Sequence, residues 1–311
     1  MAICSVCGKG LAFGHNVSHS NRKTNRVWKP NIRKVKAVVD GSNKTINVCS
    51  RCLRSGKVTR AIWVWKTRPY FTVFFHFVGG NMLAILSSQI SEEFSKKTNI
   101  DTIALSPYDF LDAPVNSHAD MLTCVIEDTI FCYDDYYLEN VQHFAKIKGY
   151  KLVRIKEKCA PTYPKDVLLN VLVVGKTIFS RLDSTAKELL DFAKKKGYKL
   201  IDINQGYAAC STLVLDDSAI TSDVGIYNAL LNEGIRALLV TTSGISLKGY
   251  NCGFIGGSCG YFQKKLYTFG NIQAYPDYFK IKDFLKSSDV EVVEISAGCL
   301  TDYGGIKFIL E

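Results

Sequence analysis

The first 62 residues of this 311-residue chain almost lack acid. Asp40 stands alone against thirteen Lys and Arg, so the segment carries a net +12, while residues 63 to 311 sum to −2. A small globular surface that neutralises itself is thereby excluded. Like charges at that density repel unless a polyanion lies against them, and nucleic acid is the leading polyanion. The chain also lacks an apolar leader ahead of Cys4. That absence argues against a secretory signal, and so against an oxidising compartment in which eleven cysteines would form a disulfide framework. A cytoplasmic protein is expected. Residues 1 to 62 hold too few apolar side chains for a self-sufficient core, and no segment there is long enough to place a helix in a major groove.

What is present is two Cys-x-x-Cys pairs, Cys4-Ser5-Val6-Cys7 and Cys49-Ser50-Arg51-Cys52. Each pair forms a tight knuckle that points both thiolates at one ion, and two knuckles close a tetrahedral structural site that suits zinc. The 41 residues between the pairs must leave and return. Two β-like runs, 34–39 and 44–48, flank the turn chemistry of Asp40-Gly41-Ser42-Asn43, so a hairpin is expected to carry Cys49 back to Cys4. Metal binding, roughly 10 to 16 kcal/mol in small zinc modules, would replace the missing core. The other seven cysteines lie mostly in apolar runs and read as buried free thiols.

The loop from His15 to Lys36 mixes cations with small polar groups. Lys9, Arg22, Lys23, Arg26, Lys29, Arg33, Lys34 and Lys36 suit phosphates. Asn16, Ser18, His19 and Ser20 can donate to phosphate or 2′-hydroxyl oxygens, and Trp28 can stack on an unpaired base. Structured RNA is the expected partner. With four cysteines filling the metal site, His15 and His19 read as RNA contacts.

These residues resemble a known family. The motifs Cys4-x-x-Cys7-Gly8-Lys9, Asn16-Val17-Ser18-His19-Ser20, Lys23-Thr24-x-Arg26, Pro30-Asn31-Ile32 and Val48-Cys49-x-x-Cys52-Leu53-Arg54-Ser55-Gly56-Lys57-Val58 resemble, in order and spacing, bacterial large-ribosomal-subunit protein twenty-eight in its zinc-retaining form. The resemblance covers residues 1 to about 62 and implies a structural, non-catalytic component of the ribosome, with large-subunit rRNA and neighbouring ribosomal proteins as partners.

Residues 63–98 read as a join. The aromatic run from Trp63 to Val78 admits three readings: a membrane helix, a buried strand, or a segment never selected as protein. Its uninterrupted part after Arg68 is shorter than a bilayer span, begins at Pro69 and contains His76, so no membrane partner is expected. A regular pattern begins only after Met82, as expected if a second protein was joined by gene fusion or read-through.

Residues 99–311 repeat. Four units share a plan of two β-runs joined by a polar turn, an amphipathic helix and a third β-run. The β-runs and turns are Met121–Ile126, Glu127-Asp128 and Thr129–Cys132; Val167–Val174, Gly175-Lys176 and Thr177–Ser180; Thr212–Leu215, Asp216-Asp217 and Ala219–Thr221; and Gly260–Gln263, Lys264-Lys265 and Leu266–Phe269. Their helices are expected over 138–148, 184–196, 224–232 and 278–286. Lys148-Gly149-Tyr150-Lys151-Leu152 recurs as Lys196-Gly197-Tyr198-Lys199-Leu200, a period of 48, with each Gly, like Gly234 after the third helix, placed as a helix C-cap. A partial fifth unit, Gly305–Leu310, could be completed by Ile100–Leu105. Shared end pieces suggest a closed ring, because closure removes sheet edges. The expected class is α+β: a small β-rich zinc ribbon followed by a ββαβ-repeat, five-bladed α/β propeller.

Such a ring resembles that of the guanidino-group-modifying enzymes, the amidinotransferases, arginine deiminases and dimethylarginine hydrolases. Two short motifs match: His118-Ala119-Asp120, and Gly298-Cys299-Leu300-Thr301 as a nucleophile turn, with Cys210-Ser211-Thr212 fitting the nucleophile pattern nearly as well. The resemblance implies thiolate attack by Cys299 on a guanidinium carbon, His118 as general acid/base and Asp120 holding the substrate cation. The family's Glu-Gly-Gly-Asp/Asn motif before His118 is absent; the nearest stretch, Ile255–Gly260, lacks the acid. The same ring also occurs in an anti-association translation factor that binds the large subunit without catalysis, so the fold alone does not imply an enzyme. The partner of the C-terminal domain is not legible.

Overall fold

A computed structural model describes residues 3–39, 42–55, 58, 82–286 and 288–311. The chain divides into two units, Met1–Thr72 and Val73–Glu311. Residues 63–81, the larger part of the expected join, lie outside the described residues. No helix among the described residues is long and apolar enough to cross a membrane.

Among its described residues, the first unit is two antiparallel ribbons and one short helix. Ala12–Val17 pairs with Lys23–Trp28. Ile32–Val39 pairs with Ser42–Cys49, in a register that sets Ile32 opposite Cys49. This second ribbon is the expected hairpin, and the Ser5 amide donates to the Asn47 carbonyl at 2.8 Å, docking the first knuckle beside the second. Ser50–Arg54 is helical and carries Cys52. The stretch expected as a basic loop is mostly paired strand instead. Both faces of its first ribbon are almost wholly exposed, so no apolar alternation marks it; backbone pairing alone makes it a ribbon. The core is small: Cys4, Val48, Cys49 and Cys52, with Ile32, Val35, Ile46, Leu53 and Val58 against them.

The second unit contains, among the described residues, five three-stranded sheets of one plan. The first joins Thr123–Ile126, Thr129–Tyr133 and Lys151–Ile155. The second joins Leu172–Val174, Thr177–Ser180 and Lys199–Asp202. The third joins Thr212–Val214, Ser218–Thr221 and Arg236–Leu239. The fourth joins Cys259–Phe262, Lys265–Thr268 and Glu291–Glu294. In each, the first two strands are antiparallel and the third lies parallel to the second across a helical connection. The fifth sheet is assembled from both ends of the unit: Lys307–Leu310 pairs antiparallel with Met82–Ser87, which pairs parallel with Asp101–Leu105.

Part of the expected join lies within the second unit. The central strand Met82–Ser87 and the helix Ser91–Thr98 fall inside the expected join. Residues Leu83–Ser87 are buried on both faces, so the strand has no alternation to betray it. Three further details differ. The helix expected over 138–148 is two short ones, Asp134–Glu139 and Val141–Phe144. It breaks at Asn140, which leaves helical geometry and turns its side-chain amide onto the Tyr136 carbonyl at 2.9 Å. The strand expected from Met121 begins at Thr123, because Ala119–Leu122 forms a helical turn after His118. The fourth turn lies at Gln263 and Lys264, both left-handed, which sets Phe262 opposite Lys265. Gly197 and Gly234 take positive φ directly after their helices' last turns, as caps; Gly149 also takes positive φ, but the helix before it has already ended at Phe144.

One feature ties the sheets together. Residues from the first strand of every sheet, among them Cys124, Leu172, Leu213, Tyr261 and Lys307, line a single cavity of about 200 Å³.

Candidate functional site

Two chemical centres emerge, one in each unit. In the first, the ligand atoms of Cys4, Cys7, Cys49 and Cys52 all lie within 4.8 Å of one another, and Cys7 Sγ is 3.7 Å from Cys49 Sγ. Tetrahedral zinc with bonds of about 2.3 Å sets its thiolates about 3.8 Å apart, so the donor set fits zinc in type and spacing. The Cys49 amide donates to Cys4 Sγ at 3.3 Å. That bond is the main reason the Cys4 thiol is held down at about 6, whereas burial and the neighbouring thiols push Cys52 up to about 12. A quartet split in this way needs a divalent ion to ionise all four groups.

The residues expected to bind RNA spread over both ribbons. Lys9, Asn16, Ser18, His19, Ser20, Arg22, Lys23, Arg26, Trp28, Lys29, Arg33 and Lys34 are all exposed. Lys36 lies in the Ile32–Val39 strand, and its side chain is outside the described residues. The Arg26 guanidinium donates to Asn16 Oδ1 at 2.8 Å and lies 5.2 Å from the centre of the Trp28 ring. Gly14 sits under that ring; a Cβ there would meet Trp28 at 2.6 Å, so glycine lets the indole lie against the ribbon. One face of the ribbon thus presents a planar cation and an aromatic plate, the groups that recognise phosphate and unstacked bases.

The second centre lies where the segments entering the first strands of the sheets meet. The Asp120 amide donates to the Gly304 carbonyl at 3.1 Å, and the Gly257 amide to the Cys210 carbonyl at 3.0 Å. The Asn170 side chain donates to Cys210 Sγ at 2.9 Å and to Met121 Sδ at 3.2 Å, while its oxygen accepts from the Ala209 amide at 2.8 Å. Asp302 accepts from the amides of Phe254 (2.9 Å) and Gly304 (3.0 Å), and its Oδ1 lies 3.7 Å from His118 Nδ1. His118, Asp120, Asn170, Cys210 and Asp302 are all buried. Two glycines permit this crowding. A Cβ at Gly257 would overlap the Asp302 carboxylate, and one at Gly304, where φ is +81°, would overlap His118.

Burial dominates the electrostatics. It lifts Asp120 to about 6, against the pull of the Lys307 charge. It lifts Asp302 to about 7, helped by the neighbouring Asp120. It drives His118 down to about 3, so at neutral pH the imidazole is uncharged and its approach to Asp302 is not an ion pair. Burial, then Asp120 and Asp302, keep the Cys210 thiol protonated well beyond its usual range. Neither Asp120 oxygen meets a hydrogen-bond donor in good geometry, and His118 Nδ1 is also unpartnered. A buried carboxylate in that state costs several kcal/mol unless a cation or donor reaches it.

The expected catalytic residues lie in different surroundings. His118 and Asp120 are drawn into the centre, His118 preceding a helical turn rather than opening a strand. Cys299 lies on an exposed turn, where its carbonyl accepts from Thr301 Oγ1 at 3.3 Å. Among the described residues, no hydrogen bond or ion pair joins the Cys299 side chain to His118 or Asp120. The thiol close enough to act on Asp120 is Cys210.

Residues 2–59 match the ribosomal L28 family. The large ribosomal subunit protein bL28 of Acetivibrio thermocellus is 66 % identical over 62 residues, 20 % of this chain and 100 % of that protein. Residues 85–307 match a family of unknown function (DUF6873). The chain belongs to both families. The L28 segment falls within the first unit and the DUF6873 segment within the second. Among solved structures, the DUF6873 segment is similar to a dimethylarginine dimethylaminohydrolase from Pseudomonas aeruginosa in complex with citrulline (10 % identity, TM-score 0.42, 68 % of this chain and 90 % of that one). It is similar also to agmatine deiminase from C. jejuni (10 %, 0.42, 72 % and 92 %). Likeness at that level carries no chemistry across.

Two members of the buried centre left only faint traces in the sequence. Asn170 is the lone polar residue in the apolar run Val167–Val174. Asp302 directly follows Cys299-Leu300-Thr301 in the turn that the motif singled out.

Proposed function

We propose that the chain joins a structural protein of the large ribosomal subunit to a ring-shaped ligand-binding domain. The L28 segment, residues 1–62, binds large-subunit rRNA through its exposed basic ribbons, with zinc held by Cys4, Cys7, Cys49 and Cys52, and places the protein on cytoplasmic ribosomes. What carries this reading is a four-thiol centre beside all-exposed basic ribbons, in a segment 66 % identical to a ribosomal protein. The chain should cosediment with large subunits, and a chain lacking residues 1–62 should not. If about 6 to 10 phosphates are contacted, affinity falls by about 10³ to 10⁵ between 50 and 200 mM salt; a flat salt dependence would remove the RNA-binding reading. Two families end to end favour gene fusion. A native polypeptide of 34.7 kDa supports it, and a separate ribosomal protein of about 7 kDa refutes it.

In this reading the DUF6873 segment is a five-bladed α/β propeller. Five sheets of one plan around one cavity, with the last sheet closed by both ends of the unit, favour it. Its centre takes a guanidinium-type cation on Asp120, whose unpartnered buried oxygens support that role. A cysteine-dependent guanidino-group hydrolase or amidinotransferase is the corresponding enzyme reading. A cation bound at Asp120 would favour the Cys210 thiolate, which would attack the guanidinium carbon; the C–N bond then breaks, the leaving amine takes up a proton relayed by neutral His118, and water (or an acceptor amine) releases the product by breaking the C–S bond. Citrulline or ornithine release from guanidino substrates, lost in Cys210→Ala and kept in Cys299→Ala, tests it. Binding without turnover leaves the domain a receptor for such cations.

A further inference from the structure

We infer that the second unit carries an RNA-backbone surface of its own, at the turn end of its first two sheets. The net −2 of residues 63 to 311 hides an uneven distribution. Residues 82–145 hold two Lys against eleven acids, and residues 200–311 hold eight Lys and Arg against twelve acids. Between them, residues 146–199 hold fourteen Lys and Arg against five acids, a net of +9.

The fold gathers part of this charge in one place. Glu127 and Asp128 make the turn of the first sheet. Glu127 accepts from Lys176, which lies in the turn of the second sheet, and from Lys196 at 3.1 Å, just beyond the helix Lys187–Lys195. Asp128 accepts from Lys151 at 3.0 Å. The helix is fixed there because it buries Leu189 and Ala193, and because Phe192 meets Phe131 of the first sheet edge-on, with ring centroids 5.2 Å apart. Lys194 and Lys195 end that helix, and Lys146 and Lys148 lead into Lys151. All seven of these lysines are exposed.

Three of the seven already occupy both acids. Among the described residues, Lys146, Lys148, Lys194 and Lys195 have no ion-pair partner. Pinning two sheets together does not require these four, and like charges so placed repel. A helix C-terminus favours Lys194 and Lys195, but Lys146 and Lys148 follow a helix that has already ended at Phe144. Cations drawn from three separate segments suit an extended polyanion better than one small anion. Lysine is a point charge that neutralises backbone phosphate without reading bases. The choice of RNA rests on the proposed ribosomal placement of the first unit, which keeps the second unit close to rRNA because both belong to one chain. The first strand of the first sheet runs from Thr123, beside the buried centre, to Ile126 at this turn, so the RNA would lie at the opposite end of the strand from Asp120.

The test is filter binding of the full chain to extracted large-subunit rRNA between about 50 and 200 mM salt. Lys148→Gln, Lys194→Gln and Lys195→Gln together should lower the slope of log affinity against log salt by about 2 and weaken binding at about 100 mM salt by at least about tenfold. Removing the same charge from exposed positions elsewhere in the unit, by Lys248→Gln, Lys282→Gln and Lys286→Gln, should leave affinity within about twofold of wild type. An unchanged slope in the first variant, or an equal loss in the second, overturns the surface and leaves RNA binding by the first unit standing. Absence of rRNA binding by the wild type overturns both. Binding to phosphatidylserine vesicles that the first variant abolishes, with its RNA slope unchanged, assigns the lysines to a lipid surface and overturns the RNA reading.

Discussion

Asp120→Asn should stabilise the second unit at high pH, although it removes the group proposed to hold the ligand. Burial raises the Asp120 carboxyl from 3.8 to about 6. One pKa unit corresponds to about 1.4 kcal/mol, so the ionised carboxylate costs the folded state about 3 kcal/mol. The folded value lies above the unfolded one. The cost is therefore absent below 3.8, grows between 3.8 and 6, and is complete above that. An asparagine amide has no charge to desolvate, but left unpaired it costs about 1 to 2 kcal/mol. The variant should then be more stable by about 1 to 2 kcal/mol at pH 8. Linkage through these two pKa values makes the effect about 1.4 kcal/mol less favourable at pH 5 than at pH 8. His118 titrates in the opposite sense: burial drives it down to about 3, so its stabilisation is lost as pH falls below 6.5. To first order that contribution is common to both proteins and cancels in the difference. Scanning calorimetry of the full chain, ligand-free, at pH 5 and pH 8 reads the result in the larger-enthalpy transition. The difference between the two pH values should correspond to about 3 to 6 °C in Tm. A pH-independent effect, or a loss of more than about 1 kcal/mol at pH 8, would show that Asp120 already has a partner and that the reasoning fails.

Three further outcomes are expected. The first unit should bind one zinc per chain, and stripping the metal or changing Cys52→Ser should abolish its ordered structure, since zinc contributes roughly 10 to 16 kcal/mol in such modules; elemental analysis with circular dichroism of the isolated segment checks this. Gly304→Ala should lower the stability of the second unit by about 2 to 4 kcal/mol, because the residue is left-handed and its Cβ would overlap His118; a urea midpoint unchanged from wild type would contradict the packing. In the native protein, Cys299 should react with a thiol reagent quickly and Cys210 only on unfolding, as their exposures dictate; mass mapping of the labelled peptides decides between them.

The legible parts share a physical cause. Cys49 returns to Cys4 because a turn signal separates two β-like runs, and that information is local. The helix caps at Gly197 and Gly234 were readable because left-handed geometry selects glycine. The strand Met82–Ser87 was not, because a central strand buried on both faces carries no period. The Ala12–Val17 and Lys23–Trp28 ribbon was not, for the opposite reason: with both faces in solvent, nothing in its side chains distinguishes strand from loop. His118 and Asp120 were identified as a pair; the thiol that acts on Asp120 in the structure is Cys210, the alternative that fitted the nucleophile pattern nearly as well as Cys299.

By itself the sequence determined that the chain has two parts. It determined that the first is a basic module held by four thiols, and that the second repeats a ββαβ plan. Charge, cysteine spacing and repeat period are properties of the chain and survive without coordinates. Only the tertiary structure decided which groups share the buried centre. Asp120, Asn170, Cys210 and Asp302 lie on segments that lead into different sheets, 50, 40 and 92 residues apart in turn. Their meeting is fixed by strand register and by glycines that let the segments approach, and neither is written in the local pattern around any one of them.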